Sequence, residues 1–511
     1  MLCAVLFVTF LDNTVVSVAL ADIQSGLHAG VTSLQWVVNG YALAFASAML
    51  ACGMIGDELG RKRVMLSGLG VFCAGSLMCA LAPSPGVLIG GRVLMGLGAA
   101  ASEPGTLSLL RHIYPEADRR ARAVGTWAAT SGLALAAGPV VGGLLTGAGG
   151  WRAVFWFNLA FGACVLAVAA ATLPESADPD ARRVDTAGAL IGAATLAALV
   201  FGIIGGETVG FTSARSLALY ALAAVGAVVW VLRERRAARP LVDLRYFRVP
   251  GFSTANAAAF CIYFAVFAVF FFTALYLVEV VGDGSVAVAG TFAPMAALMV
   301  ASALLAGRAV DRIGPRWLVA GGCAAFGAGL LLTEAALGPS PAEWELVLAL
   351  AITGAGIGTT VVPVTTSVLA AVPAERSGMA ASSTNTSREI GAVTGVAVLG
   401  AVVNHQLTSH LTAALVRLGI PANFQSIVIT GVETGALPSG GKGAGAAGGA
   451  AAAGNAGLVQ QVIHAAYNAF GVGLDTSLTV SAVLVLAAGL LGALTLRRPA
   501  PTATSAAAGA A

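Results

Sequence analysis

The chain predicts an all-α polytopic membrane protein, and three observations carry that expectation. Of its 511 residues 58% are hydrophobic and 10% charged, with a mean hydropathy of +0.88, whereas a soluble domain is about 25% charged. Apolar runs of about 18 to 25 residues, long enough to cross a bilayer core of roughly 30 Å, recur about fourteen times. Arg and Lys gather in alternate loops, as they do on the cytoplasmic side of a membrane.

The runs fall near residues 1–20, 34–55, 64–82, 87–110, 123–145, 154–173, 186–206, 215–232, 252–278, 288–307, 317–336, 345–369, 379–403 and 474–496. The first begins without a basic leader or a cleavage pattern, so it is expected to be a span and not a signal peptide. Alternate loops carry Arg61, Lys62 and Arg63, then Arg111, Arg119, Arg120 and Arg122, then Arg182 and Arg183, then Arg233 to Arg248. The series continues through Arg308, Arg312, Arg316 and Arg376 to Arg497 and Arg498, which places both termini in the cytoplasm.

The formal charge of +3 gives no ground for nucleic-acid binding. The seven cysteines, Cys3, Cys52, Cys73, Cys79, Cys164, Cys261 and Cys323, fall inside apolar runs with no metal-ligand spacing. His405, His410 and His464 lie in a long loop without such spacing either. Gly435 to Gly443 lacks the residues of a phosphate loop, so neither a nucleotide nor any other cofactor is expected, and no enzyme.

An internal repeat organises the chain. Gly53-Met-Ile-Gly-Asp57-Glu-Leu-Gly60-Arg61 after the second run returns as Gly307-Arg-Ala-Val-Asp311-Arg312-Ile-Gly314 after the tenth, and Gly96-Leu-Gly98 with Pro104 is echoed by Gly356-Ile-Gly358 with Pro363. Both echoes are eight spans apart, which describes two six-helix halves separated by two extra helices. Residues 1–173 form the first half and 174–251 the two linker helices with a cytoplasmic loop. Residues 252–511 form the second half, with an external loop over 404–474 and a short cytoplasmic tail. That loop holds a Gly/Ala-rich stretch from Gly435 to Gly457, expected to be disordered. Its flanks, Leu407 to Leu418 and Leu458 to Phe470, have helical apolar spacing and are expected to lie on the membrane surface.

The duplicated turn is the strongest motif. Gly56 and Gly60 permit close backbone approach, while in the gating loop that Gly53 opens Asp57 and Asp311, with Arg61 and Arg312, could exchange ion-pair partners between two states. These residues match the signature loop of the major facilitator superfamily, and the rest of the chain resembles its fourteen-spanner drug:proton antiporter family, the QacA and EmrB type. Leu11-Asp12-Asn13-Thr14-Val15-Val16 is similar to that family's first-helix motif, Gln35-Trp36-Val37-Val38 to Tyr41 to its second-helix opening, and Trp151-Arg152 with Asn158 to its fifth-to-sixth connection. Gly138-Pro139-Val-Val-Gly142-Gly143 resembles the motif that marks antiporters, where small residues let helices touch and Pro139 permits a bend. Arg92 resembles the family's buried arginine, with Met95 standing where that motif usually has Gln.

An Arg or Glu in mid-membrane costs roughly 2.5 to 3.5 kcal/mol and is normally functional. Asp12, Arg92 and Glu103 are therefore the candidate proton-coupling groups. Two bland alternatives stand beside that reading: Arg92 snorkels to the outer face, or Glu103 pairs with it permanently. Arg388 and Glu389 are adjacent and cannot share one helix face, so at least one should reach another helix. Aromatic and amide side chains that could line a pocket for flat cations are Asn13, Trp36, Tyr41, Trp127, Asn158, Tyr263, Phe267 and Phe271.

The resemblance implies a multi-pass protein of the cytoplasmic membrane that exports lipophilic, cationic small molecules in exchange for protons, with the lipid bilayer as a further partner and no nucleic acid. A dedicated exporter of one endogenous metabolite and a receptor that kept the fold remain alternatives.

Overall fold

In the computed structural model, residues 1–114, 116–176, 185–237, 243–337, 342–372, 377–421, 424–426, 428–429 and 456–496 are described. Among them fourteen helices have twenty residues or more. They are α1 (Leu2–Leu27), α2 (Val31–Leu59), α3 (Arg61–Ala80), α4 (Pro85–Ile113), α5 (Ala117–Gly149), α6 (Arg152–Thr172), α7 (Thr186–Val209) and α8 (Ala214–Arg236). The series continues with α9 (Pro250–Val281), α10 (Ser285–Ile313), α11 (Pro315–Ala336), α12 (Glu343–Ala370), α13 (Ser377–Arg417) and α14 (Ala456–Thr495). All but α2 satisfy a length and hydropathy test for crossing a membrane over at least part of their length. The chain is a multi-pass, all-α membrane protein.

The first six helices pack together as α3 on α4, α2 on α4, α1 on α5 and α3 on α6, and the last six as α10 and α11 on α12, α9 on α13 and α11 on α14. α7 and α8 form a hairpin whose α7 fills the seam between α2 and α13, where Ala42, Val200, Ile204, Val393 and Ala397 make a small apolar cluster. α8 turns Leu217, Leu222, Val225, Val228 and Leu232 outward, a face suited to lipid.

The two halves repeat each other down to single glycines. A Cβ on Gly98 would meet the backbone of Phe72 and the carbonyl of Gly68, and one on Gly356 would meet the backbone of Phe326 and the carbonyl of Gly322. Gly60 and Gly314 end α2 and α10 with φ of 110° and 88°, the region that suits glycine. The contacts match Gly98 to Gly356, two residues away from the register in which Gly96-Leu-Gly98 aligns with Gly356-Ile-Gly358. Gly354, Gly356 and Gly358 recur every second residue, so spacing alone left the register degenerate.

The flanks of the external loop differ from expectation. Residues 404–417 continue α13 and residues 456–473 begin α14, and the two extensions pack on each other through Leu407, Leu411, Leu415, Val462, Ala466 and Ala469. Apolar spacing at i and i+4 is equally consistent with a membrane-surface helix or a helix pair, and here each helix covers the other. With 41 residues α13 is about 60 Å long, roughly twice the hydrocarbon core. The stretch expected to be disordered lies outside the described residues as far as 455.

The linker hairpin is stitched at its cytoplasmic end. Asp185 caps α7 by accepting from Gly188 N at 3.0 Å and receives Arg233 of α8 through Nε at 3.0 Å and Nη2 at 2.6 Å. The Arg233 bonds hold its carboxyl below the ordinary range. A lowered folded value means that this contribution is present above the ordinary carboxylate pKa and is lost as pH falls through the lowered one. Asp185→Ala should therefore cost about 1 kcal/mol in neutral buffer, with the difference closing in acid; thermal unfolding in detergent across pH checks it.

Candidate functional site

Among the described residues, the charged side chains that are at most 2% exposed fall in two groups. The first lies inside the N-terminal half. Asp12 of α1 is 0% exposed and Arg92 of α4 is 1% exposed. Arg92 Nη1 donates to Asp12 Oδ2 in a close ion pair, and Asn158 Nδ2 of α6 donates to the other oxygen, Oδ1, at 2.6 Å. Arg92 Nε donates to the Val37 carbonyl at 2.9 Å, and its guanidinium lies 4.5 Å from the centroid of the Tyr41 ring. Tyr41 in turn donates to the Thr9 carbonyl at 3.0 Å. Four helices thus converge on one ion pair whose charges are both compensated. Arg92 neither snorkels outward nor pairs with Glu103.

The second group bridges the halves. Glu103 of α4 is 1% exposed and accepts from Asn385 Nδ2 of α13 at 3.0 Å. Arg388 Nη1 donates to Asn385 Oδ1 at 3.3 Å, which fixes the amide with its nitrogen toward Glu103. Arg388 Nη2 donates to Thr365 of α12 at 2.7 Å, and its guanidinium lies 5.4 Å from the Tyr263 ring centroid on α9. Glu389, 2% exposed, has Asn13 of α1 within hydrogen-bonding reach. Both members of the Arg388-Glu389 pair therefore reach other helices. Trp127 of α5 donates to Thr106 at 2.9 Å, and Thr106 donates to the Glu103 carbonyl at 2.6 Å, so this indole braces the turn that carries the carboxyl.

Asn385 was absent from the sequence candidates, and Glu389 was left undecided. The signal was their spacing: Asn385 stands three residues before Arg388 and four before Glu389, so its side chain neighbours both along the helix.

Other candidates lie apart. Trp36 packs on Phe201 of α7 with centroids 4.4 Å apart, in the linker seam. Phe271 is buried edge-on against Phe272 at 4.6 Å, in a segment of α9 (Ala268–Thr273) wound as a π-helix. The side chains of Phe267, Asp57 and Asp311 lie outside the described residues. Arg312 is exposed. A Cβ on Gly53 would stand 3.3 Å from Pro104. In the signature loop, Lys62 Nζ donates to the carbonyls of Ala170 and Leu173 at 2.8 and 2.7 Å, and Arg61 N to the Ser176 carbonyl at 2.8 Å, strapping the end of α6 to the start of α3. A side chain at Gly60 would run into the Glu175 carboxylate, 2.9 Å from an ideal Cβ.

The antiporter-like motif divides its glycines between two neighbours. Gly138 and Gly142 of α5, either side of the buried Pro139, press on Thr14 and Val15 of α1, and Gly143 presses on Ser285 and Ala289 of α10 in the other half.

Two similar helix bundles joined by a polar bridge, with glycines where they press together, are the architecture of a membrane carrier. The chain belongs to the Major Facilitator Superfamily, which it matches over residues 2–396. It is 37% identical over 424 residues to the multidrug resistance protein Stp of Mycobacterium tuberculosis, covering 83% of this chain and 78% of that one. It is 31% identical to the multidrug efflux pump LfrA of Mycolicibacterium smegmatis, covering 96% and 94%, and 34% identical to a methylenomycin A resistance protein of Streptomyces coelicolor, covering 77% and 82%. A bacterial homolog of the human lysosomal transporter Spinster, solved inward-facing and unoccupied, shares the fold with a TM-score of 0.65 at 19% identity, covering 98% of both chains. The protein is a membrane transporter of the efflux kind.

Proposed function

We propose that this transporter exports lipophilic cationic compounds in exchange for protons by alternating access, as a fourteen-span drug:proton antiporter. The observation that carries the reading is Glu103: a buried carboxyl in mid-helix, bonded to an amide of the opposite half, whose Oε2 has no hydrogen-bond partner among the described residues. Such a group can take a proton or the positive charge of a cargo molecule, and its contact with α13 ties that exchange to the relation between the halves. Asp12 and Arg92 act beside it as an ion pair that a proton on Asp12 would release. Tyr263 and Trp127 supply buried aromatic surface near the bridge. The names of Stp and LfrA support a broad cargo range.

A proton entering down 100 mV, interior negative, and one pH unit releases about 2.3 plus 1.4 kcal/mol, enough for a gradient of several hundredfold for a neutral cargo. For a monovalent cation exchanged one for one the electrical terms cancel, and about tenfold per pH unit remains.

Acid-quench fluorescence in everted vesicles tests the reading. Ethidium should evoke alkalinisation with the wild type, and Glu103→Gln should abolish it while the protein remains inserted. No proton movement with a broad cation panel would remove the exchange mechanism. A second reading, export of one self-made metabolite, draws on the methylenomycin A resistance relative and on one named for tetracenomycin C resistance and export. It predicts that deletion leaves a single compound retained in the cell.

A further inference from the structure

Where α13 and α14 run on past their apolar runs, on the outer side, a groove opens along one flank of the pair. Its volume of about 420 Å³ falls within the range of small-molecule sites, about 300 to 1,000 Å³. α13 presents His410, Ala414 and Arg417 to it, at i, i+4 and i+7, and α14 presents Gln461, His464, Ala465 and Asn468, at i, i+3, i+4 and i+7. Each set is one stripe of its helix. It runs beside the stripe of Leu407, Leu411 and Leu415, or of Val462 and Ala466, through which the two helices pack. The alanines leave the floor open and apolar, while the five polar side chains stand exposed at the rim.

All five of those side chains can donate hydrogen bonds, and none is an acid. Arg417 carries a permanent charge, and each imidazole can add one. No Asp or Glu occurs in 404–426 or 456–473. Among the described residues Arg417 pairs with no carboxylate, and its Nε donates to the Ala413 carbonyl at 3.3 Å. A cation would meet repulsion here with no acid to compensate it, whereas an anion would meet donors from two helices. A metal ion is poorly served as well, because the described residues hold no group of three His, Cys, Asp or Glu fit to bind one and Arg417 lines the same groove as the two imidazoles. Along α13, His410 lies about 10 Å and Arg417 about 20 Å past residue 403, where the apolar run ends. The head-group layer is only about 5 to 8 Å deep on each side of a bilayer, so the groove rises above it into water.

We propose that this groove binds an amphiphile with one acidic head group, a carboxylate or phosphate monoester on an apolar chain, taken from the water outside and not from the bilayer. Arg417, His410 and His464 hold the head group, and the chain lies along Ala414 and Ala465. An occupant of this kind joins α13 to α14 beyond the membrane. The site is separate from the buried polar groups and opposite to them in charge preference, so it takes neither a proton nor a cationic cargo in the exchange.

The test titrates octyl phosphate into the full-length protein in nanodiscs of phosphatidylcholine, with the histidine rings labelled with ¹³C and two signals assigned through His410→Gln and His464→Gln. Both signals should move on one saturation curve while those of the other histidines stay. Arg417→Gln should weaken binding about tenfold or more, and Ala465→Phe should block it by filling the floor; the unmoved histidine signals show that each variant is folded. Octyltrimethylammonium, with the same chain and the opposite charge, should leave both signals in place. No movement of either signal with octyl phosphate overturns the proposal, as does an unchanged affinity in Arg417→Gln. Inorganic phosphate binding as tightly as octyl phosphate overturns the amphiphile. Shifts produced by phosphatidylglycerol in the nanodisc, without octyl phosphate, give the groove to bilayer lipid and overturn the aqueous source. Proton exchange is read separately by the vesicle assay, so either reading can fail while the other stands.

Discussion

Arg92→Met should destabilise the protein by about 3 to 5 kcal/mol, the range for removing one partner of a buried ion pair. The variant leaves the Asp12 carboxylate with Asn158 as its remaining bond, at 0% exposure. It also opens the Val37 carbonyl and removes the cation from the Tyr41 ring. Adding Asp12→Asn removes the stranded charge, so the double variant should regain most of the lost stability. Thermal unfolding in detergent reads this directly, and transport in reconstituted vesicles separates it from function. If the pair serves only to hold α1, α4 and α6 together, the double variant transports once it is folded; if Asp12 exchanges a proton, the double variant is stable and inactive. A single Arg92→Met protein as stable as wild type would show that the pair is open in the resting state.

The difference between the halves gives this pair its meaning. The contacts that match Gly98 to Gly356 place Leu350 where the first half has Arg92 and Val361 where it has Glu103. The scaffold is repeated and the acid-base chemistry is not. In the second half the chemistry moves to α13, where Asn385, Arg388 and Glu389 face back toward Glu103. An exchange site assembled at one interface from unlike halves needs no internal symmetry among its charged groups.

Much of this was legible beforehand. Spans and orientation follow from hydropathy and from the Arg-rich loops, because each helix must satisfy its own backbone in lipid and each charge must find water or a partner. Asp12, Arg92 and Glu103 stood out by the same reasoning, since a charge in an apolar helix is conspicuous. Their pairing was not legible. Asp12 and Arg92 are eighty residues apart, and only the packing of α1 on α4 and α6 selects Asp12 over Glu103 as the partner of Arg92. Asn385 was missed for a related reason: an amide in a helix is a weak signal alone and becomes informative only beside Arg388 and Glu389. Trp36 was a candidate for pocket lining because an aromatic ring can stack on a flat cation, whereas the structure packs it on Phe201 of the inserted helix α7.

Gly143→Val should shift the transporter toward a state open at the outer face and lower turnover about tenfold or more. With the termini inside, α5 ends and α10 begins on the outer side. There Gly143 lies against Ala289 and Ser285, Gly147 lies against Val286, and Ser285 donates to Asp22 of α1 at 3.4 Å. These contacts join the halves, unlike those of Gly138 and Gly142, which stay within the first half. A valine at 143 must push α10 away or distort α5, and overpacking of this kind costs about 1 to 3 kcal/mol. The cost falls on the state in which the outer ends touch. A shift of about 2 kcal/mol moves a two-state equilibrium roughly thirtyfold, so a transporter that rests closed outside would spend much of its time open there. In a cysteine-free background, Ser285→Cys should then react with an impermeant maleimide from outside many times faster when Gly143→Val is present, and export should fall in parallel. Gly142→Val, pressing on Val15 of the same half, should disturb folding without raising that labelling, because it strains both states alike. Equal labelling with and without Gly143→Val would mean that the α5–α10 seam does not open during the cycle.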